Sequence, residues 1–193
     1  MTEGFGTIAD IDLKNGTVGY RRLDDDDTRR FFGGGGIGAK LLIDSKDAGA
    51  IVIANGLLTG LPVPTACKTS ILFRSPLTGV FGETSVGGMW GAELRKAGID
   101  IIIIRGESPA PVYLFICDGA VEIRDAASLW GMDTFEAHDI LASALPPGAR
   151  IGVIGPAGEN GVLFASIMFE GIVPRSAGRT GGARCSAGKK SRV

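Results

Sequence analysis

Glycine constrains this chain more than any other feature: it occupies 31 of the 193 positions. These glycines follow no collagen-like period and form no low-complexity tract. Glycine at this frequency points to many turns and to places where backbone approaches backbone or ligand closely. The 45% hydrophobic content supplies a core for one domain of moderate size, or for two small lobes sharing one.

Charge narrows the function classes. Lys and Arg total 20 against 21 Asp and Glu, so a chain-wide basic surface for nucleic acid is excluded. The longest apolar runs, such as Ala48 to Ala54 and Ile99 to Ile104, fall short of the roughly 20 residues that cross a bilayer. Met1-Thr2-Glu3-Gly4 has neither the basic start nor the apolar stretch of a secretory signal. Cys67, Cys117 and Cys185 are odd in number and widely spaced, which suits a reducing cytosol better than a disulfide framework. A cytoplasmic protein with no membrane or nucleic-acid partner is the expectation. The charge is uneven, however. From Pro174 onward there are six bases and no acid, leaving 14 bases against 21 acids in the body, about −7. A Gly/Ser/Arg tail of this kind is either disordered or an anion-binding arm.

Short strands dominate the pattern. Gly6 to Leu13 alternates apolar and polar residues, and Asn15-Gly16 turns it into a partner strand at Thr17 to Leu23. Further strands are expected at Ala50–Ala54, Thr69–Phe73, Asp100–Arg105, Val112–Cys117, Val121–Ile123, Arg150–Ile154 and Val162–Met168, with Asp118-Gly119 closing a second hairpin. Helices are expected at Asp25–Phe32, Ile37–Ser45, Met89–Ala97 and Thr134–Leu145. The last carries Asp133 and Glu136 as a capping box, Pro146-Pro147 as a stop, and Phe135, Leu141, Ala142 and Leu145 as its apolar face. Strands and helices do not alternate regularly, which predicts an α+β fold with antiparallel sheets.

Acid–base machinery is sparse. His138 is the only histidine and borders the apolar face of its helix, the setting of a packed structural residue, so a Ser-His-Asp arrangement is rejected. There is no Cys-x-x-Cys, hence no zinc ribbon or self-contained iron–sulfur site. Cys117, mid-strand, reads as core, and Cys67 as a loop cysteine beside Lys68. Gly33 to Gly36 and Gly87-Gly88 each run into a helix, where bare amides accept phosphate; for any single cluster, turns and tight packing are the better explanation. Neither a P-loop nor a dinucleotide-binding fingerprint is present, because the required lysine and the preceding strand are missing. The residues alone describe a glycine-rich α+β domain that would bind a cofactor carrying its own chemistry.

The order of the motifs is more specific than any one of them. Leu57-Leu58-Thr59-Gly60 precedes Pro62-Val63-Pro64-Thr65; Ser75-Pro76-Leu77-Thr78-Gly79 precedes Gly87-Gly88-Met89-Trp90-Gly91-Ala92-Glu93-Leu94. Leu129-Trp130-Gly131, Gly155-Pro156-Ala157-Gly158-Glu159-Asn160 and Arg175-Ser176-Ala177-Gly178-Arg179 follow. This string resembles the N-terminal domain of the aldehyde:ferredoxin oxidoreductase family, from about Phe5 to Arg179. The resemblance implies a saddle-like pair of antiparallel-rich sheets beneath a tungsten or molybdenum bis-pterin. It also implies a magnesium ion bridging the pterin phosphates, a neighbouring [4Fe-4S] cluster, and oxidation of aldehydes to carboxylic acids with electrons passed to ferredoxin.

Carried over position by position, the resemblance assigns cofactor binding to Lys68, Ser85, Gly87, Gly88, Arg175, Ser176 and Arg179. Lys68 stands where the family has an arginine between pterin and cluster, keeping the charge without the planar fork. Ser85 and Ser176 replace the family's asparagine and alanine, whose backbone carbonyls hold the magnesium. The family's Gly-Gly-Arg-Gly is Gly33-Gly34-Gly35-Gly36 here, so an arginine is lost. Its Asn-Asp-Gly-His is replaced before Arg175, and the pattern fades from Ala183 to Ser186. The cysteines of the cluster belong to helical domains that this chain does not contain. A domain spanning 1–182 is therefore expected, followed by a flexible basic tail at 183–193. Three readings stay open: a cofactor base completed by C-terminal domains or a separate subunit, a non-catalytic remnant, and a stand-alone binder of a phosphate-bearing ligand. A homodimer is compatible with all three.

Overall fold

The computed structural model describes residues 4–169 and 173–190. Eleven strands and six α-helices are assigned among them. The central sheet has six strands in the order β2-β1-β6-β3-β4-β5, and every pairing is antiparallel except β1 with β6. The strands are β1 (Thr7–Asp12), β2 (Thr17–Arg22), β3 (Ile51–Asn55), β4 (Lys68–Arg74), β5 (Phe81–Gly87) and β6 (Ile101–Arg105). The mixed, antiparallel-rich α+β class expected from the sequence is the class observed. The remaining strands form two further sheets, not one: a hairpin of β7 (Val112–Cys117) and β8 (Ala120–Asp125), and a sheet of β9 (Gly152–Val153), β10 (Ile167–Phe169) and β11 (Arg175–Ala177).

β3 and β6 explain the core. Both are runs of β-branched residues, buried along almost their whole length, as interior strands covered on both faces require. Each fully buried Ile or Val contributes about 1.5–3 kcal/mol relative to exposure. Alternate residues serve opposite faces. Ile8, Val52, Leu72, Ile101 and Ile103 meet Ile37 and Leu41 of helix α2 (Gly34–Asp44), which follows α1 (Asp25–Phe31). Ile11, Ile53, Ile71, Phe73 and Ile104 meet Trp90 and Leu94 of α3 (Trp90–Lys96), together with Ile167, Phe169 and Ala177. A third cluster lies under α4 (Thr134–Ala144), around Ala137, Leu141, Ile151 and Val153.

Local signals behave as the sequence predicts in several places. The Asp133–Glu136 capping box opens α4, and the two-residue Asp118-Gly119 turn has both φ values positive. Three expectations are corrected. On α4 the buried residues are Ala137 and Leu141, while Phe135 is 61% exposed and Ala142 is exposed. Cys117 is exposed at the strand end, because the turn begins at the next residue. The segment expected to be a flexible tail continues as helix α6 (Gly182–Gly188), with Ala183, Ser186 and Ala187 buried. Its small residues permit this: a Cβ at Gly182 would meet the Phe73 ring at 2.9 Å, and Gly158 of α5 (Pro156–Glu159) packs on Ala183. Lys189 then reaches Gly106 O with its Nζ at 2.9 Å. The rest of the tail, 191–193, and the replaced family residues 170–172 lie outside the described residues.

Candidate functional site

The candidate residues gather on the β4–β5 side of the central sheet. β5, which is not among the strands expected from the sequence, alternates strictly: Gly82, Thr84 and Val86 are buried, while Phe81, Glu83 and Ser85 are exposed. Its inward residues are small or β-branched, so it has the period of a strand without the apolar content that signals one. Antiparallel pairing sets Lys68 opposite Gly87 and Ser70 opposite Ser85. Gly88 follows with φ +107°, a conformation open to glycine, and leads into α3. β11 packs against β5, and the Arg179 N–H donates to Thr84 Oγ1 at 3.3 Å. The structure thus places Lys68, Ser85, Gly87 and Gly88 side by side and brings the Arg175–Arg179 segment against the same strand.

The candidate residues are open to solvent, and three of them are cationic. Lys68, Ser85, Arg175, Ser176 and Arg179 are exposed, and the three cations form no ion pair among the described residues. A Cβ added to Gly87 would meet only Cys67 O, at 3.7 Å, so the strand end presents bare backbone with free space above it. Glu83 is the acid on this face, but its carboxylate lies over Gly35 of α2 rather than over the strand end.

Beneath this surface runs a buried polar network that the sequence does not announce. Asn55 ends β3, and its Nδ2 donates to Gly91 O at 2.8 Å. Thr69 Oγ1 donates to Asn55 Oδ1 at 2.7 Å. Thr59 Oγ1 donates to Lys68 O at 2.8 Å and accepts from Gly56 N–H at 3.1 Å. Arg95 clamps the same loop, its guanidinium donating to Leu57 O and Thr59 O, with Asp100 3.7 Å away and the Phe5 ring beneath it. Thr59 belongs to the Leu-Thr-Gly motif and Asn55-Gly56 is a turn signal, the only hints in the sequence. The second Leu-Thr-Gly, ending at Gly79, is an exposed turn without this network.

Other candidates lie apart. His138 is half-buried with Nδ1 3.4 Å from Asp139 Oδ1, and no three His, Cys, Asp or Glu gather to hold a metal ion among the described residues. A cavity of about 350 Å³ opens between α3, β7 and the turn after α4, lined by Trp90, Leu94, Phe115, Leu145 and Ile151. None of the seven candidate residues lines it. Among the described residues, no helix is long and apolar enough to cross a membrane.

Residues 8–191 match the family model described as aldehyde ferredoxin oxidoreductase, N-terminal domain. The chain belongs to this family. It is 37% identical to the tungsten-containing aldehyde ferredoxin oxidoreductase of Pyrococcus abyssi over 186 residues, 92% of this chain and 30% of that protein. It is 36% identical to the aliphatic sulfonate oxidoreductase WOR-like subunit of Pyrococcus furiosus, over 84% of this chain and 30% of that subunit. A solved structure, the active site complex BamBC of benzoyl coenzyme A reductase with 1,5 dienoyl-CoA, superposes with a TM-score of 0.91 at 35% identity, over 97% of this chain and 30% of that one. The chain therefore spans about a third of the length of these relatives.

Proposed function

We propose that this chain is the cofactor base of an aldehyde:ferredoxin oxidoreductase-like enzyme, seating a tungsten or molybdenum bis-pterin. The observation that supports this reading is the convergence on β5: Lys68 faces Gly87 across the ladder, Ser85 stands two residues before it, β11 with Arg175 and Ser176 packs against the strand, and the Arg179 N–H bonds to its Thr84. The donor set suits a phosphate-bearing organic group. Three exposed cations supply charge, and the unobstructed backbone at Gly87 lets a flat ligand approach closely. Ser85 and Ser176 would offer backbone carbonyls to a magnesium ion between the phosphates.

When bound, the metal pterin supplies the two-electron chemistry that turns an aldehyde into a carboxylic acid. This chain's residues bind and orient it. Lys68 places a positive charge at the rim, and the glycine pair fixes the depth of approach. The seat is an open surface because its second wall belongs to the remaining two thirds of the enzyme, as further domains or a separate subunit. That part would also carry the [4Fe-4S] cysteines, the substrate pocket and the contact with ferredoxin. The domain is shared by relatives named for an aldehyde, a sulfonate and a coenzyme A reaction, which supports placing substrate choice outside it. A cytoplasmic location fits a ferredoxin-linked enzyme.

The test is co-expression with the completing polypeptide in tungstate- or molybdate-fed cells, followed by metal analysis and pterin fluorescence after oxidation. One metal with two pterins per assembled enzyme is expected. Assembled protein lacking both would overturn the reading. Retention of simple phosphate esters without metal would favour the stand-alone binder instead.

A further inference from the structure

We propose that Asn55 and Thr69 are positioning residues for the cofactor seat: their buried hydrogen bond fixes the start of α3, and with it Gly87 and Gly88, relative to Lys68. The proposal rests on the reading of these residues as a seat. Asn55 is fully buried and Thr69 is 2% exposed. They pair across the ladder as the last residue of β3 and the second of β4. The Thr69 hydroxyl donates to Asn55 Oδ1, which orients the amide so that Nδ2 donates to Gly91 O in the first turn of α3. Lys68 adjoins Thr69, and Gly87-Gly88 precede α3 by one residue. One side chain therefore ties both edges of the seat.

Gly91 shows how closely this contact is built. Its φ is not in the left-handed region, so its backbone does not require glycine. An added Cβ would collide with Thr69 Oγ1 and lie 2.6 Å from Asn55 Oδ1. The glycine makes room for the polar pair. Thr59 supports the other side, because its hydroxyl donates to Lys68 O. A core serving only stability would fill this space more cheaply with apolar groups, since a buried amide costs free energy unless every partner is met. Here it links the segments that carry Lys68 and the glycine pair, where a displacement of about 1 Å is enough to spoil a ligand's fit.

Thr69→Val, which keeps the shape and removes the donor, tests this on the full chain. In the cofactor-free protein, amide hydrogen exchange at the start of α3 (Glu93 and Leu94) is expected to accelerate about tenfold, the effect of losing one buried hydrogen bond. Exchange along β1 and β6 should stay at the wild-type rate, and Thr69→Ser, which restores the hydroxyl, should return α3 to it. Unchanged exchange at α3, or equal acceleration in β1 and β6, would overturn the proposal. In the co-expressed enzyme, Thr69→Val should lower tungsten and pterin content at least several-fold, with Thr69→Ser rescuing it. Full loading of Thr69→Val despite a loosened α3 would also overturn it. A wild-type enzyme that never holds metal or pterin would sink the cofactor reading, while the exchange data would still decide whether the pair couples β4 to α3.

Discussion

The glycines that open α2 and those at the end of β5 bring bare backbone to the same end of the central sheet, but they face different neighbours. Gly33 is bridged to Gly56, just beyond β3, and a Cβ there would lie 2.9 Å from Asn55 O and 3.0 Å from Leu57 N. A Cβ at Gly36 would lie 2.5 Å from Phe31 O, and one at Gly35 the same distance from Glu83 Oε1. At Gly33, Gly35 and Gly36 the missing side chains are replaced by other parts of the protein, and only Gly34 of this run has room for one. At Gly87 the nearest atom to such a Cβ is Cys67 O at 3.7 Å, and open space lies beyond. One run closes a packing junction between α1, α2 and β3; the other leaves backbone available to a guest. A glycine cluster reveals its role only when the atoms around the absent Cβ are known.

The largest expected effect breaks the closed run. Gly33→Ala places a Cβ against two backbone atoms that cannot swing away, at a φ of +82° that an L-residue adopts only with strain. Strain and overpacking together should cost about 2–4 kcal/mol, read as a lower denaturant midpoint at constant slope. A variant that unfolds like the wild type would show that the junction is loose and that the two runs are not different in kind.

The sequence made the α+β class legible because the strongest signals were local. The all-isoleucine stretch of β6, the Asn15-Gly16 and Asp118-Gly119 turns, and the capping box at Asp133 each act over a few residues. β5 was illegible because Gly82 and Thr84 carry no apolar weight; their burial is decided by β4 and by Thr180, whose hydroxyl would meet a Cβ at Gly82 at 3.1 Å. α6 was misread for the complementary reason. Small residues that resemble a solvated tail are what a helix needs to lie against Phe73 and Gly158. For the proposed seat, motif order pointed to Lys68, Ser85 and the glycine pair, while the Asn55–Thr69 hydrogen bond stayed hidden. The significance of Asn55 and Thr69 depends on a partner 36 or 14 residues away.

A second variant sharpens the contrast within the closed run. Gly35→Ala meets the tip of an exposed side chain instead of backbone, so Glu83 can rotate toward water. The cost should be less than about 1 kcal/mol, in the range of surface substitutions. Combining it with Glu83→Ala should remove whatever cost remains, an interaction that a double-mutant cycle of melting midpoints would reveal. A loss as large as that of Gly33→Ala would mean that the Glu83 carboxylate is fixed against the start of α2.

The smallest effect on stability falls where the effect on function should be greatest. Gly87 has no φ in the left-handed region and no close neighbour, so Gly87→Ala should shift stability by no more than about 1 kcal/mol, with a gain as acceptable as a loss. Gly87→Val should also fold, since β-branched side chains suit a strand end. In the co-expressed enzyme, however, the valine methyl groups occupy the space into which the bare backbone now opens, and tungsten and pterin content should fall together. Stability and loading thus part company at Gly87, whereas at Gly33 any loss of loading would follow from the damaged fold. A Gly87→Val enzyme that loads fully would show that the space above β5 is not where the cofactor sits, and the distinction between the two glycine runs would then be one of packing alone.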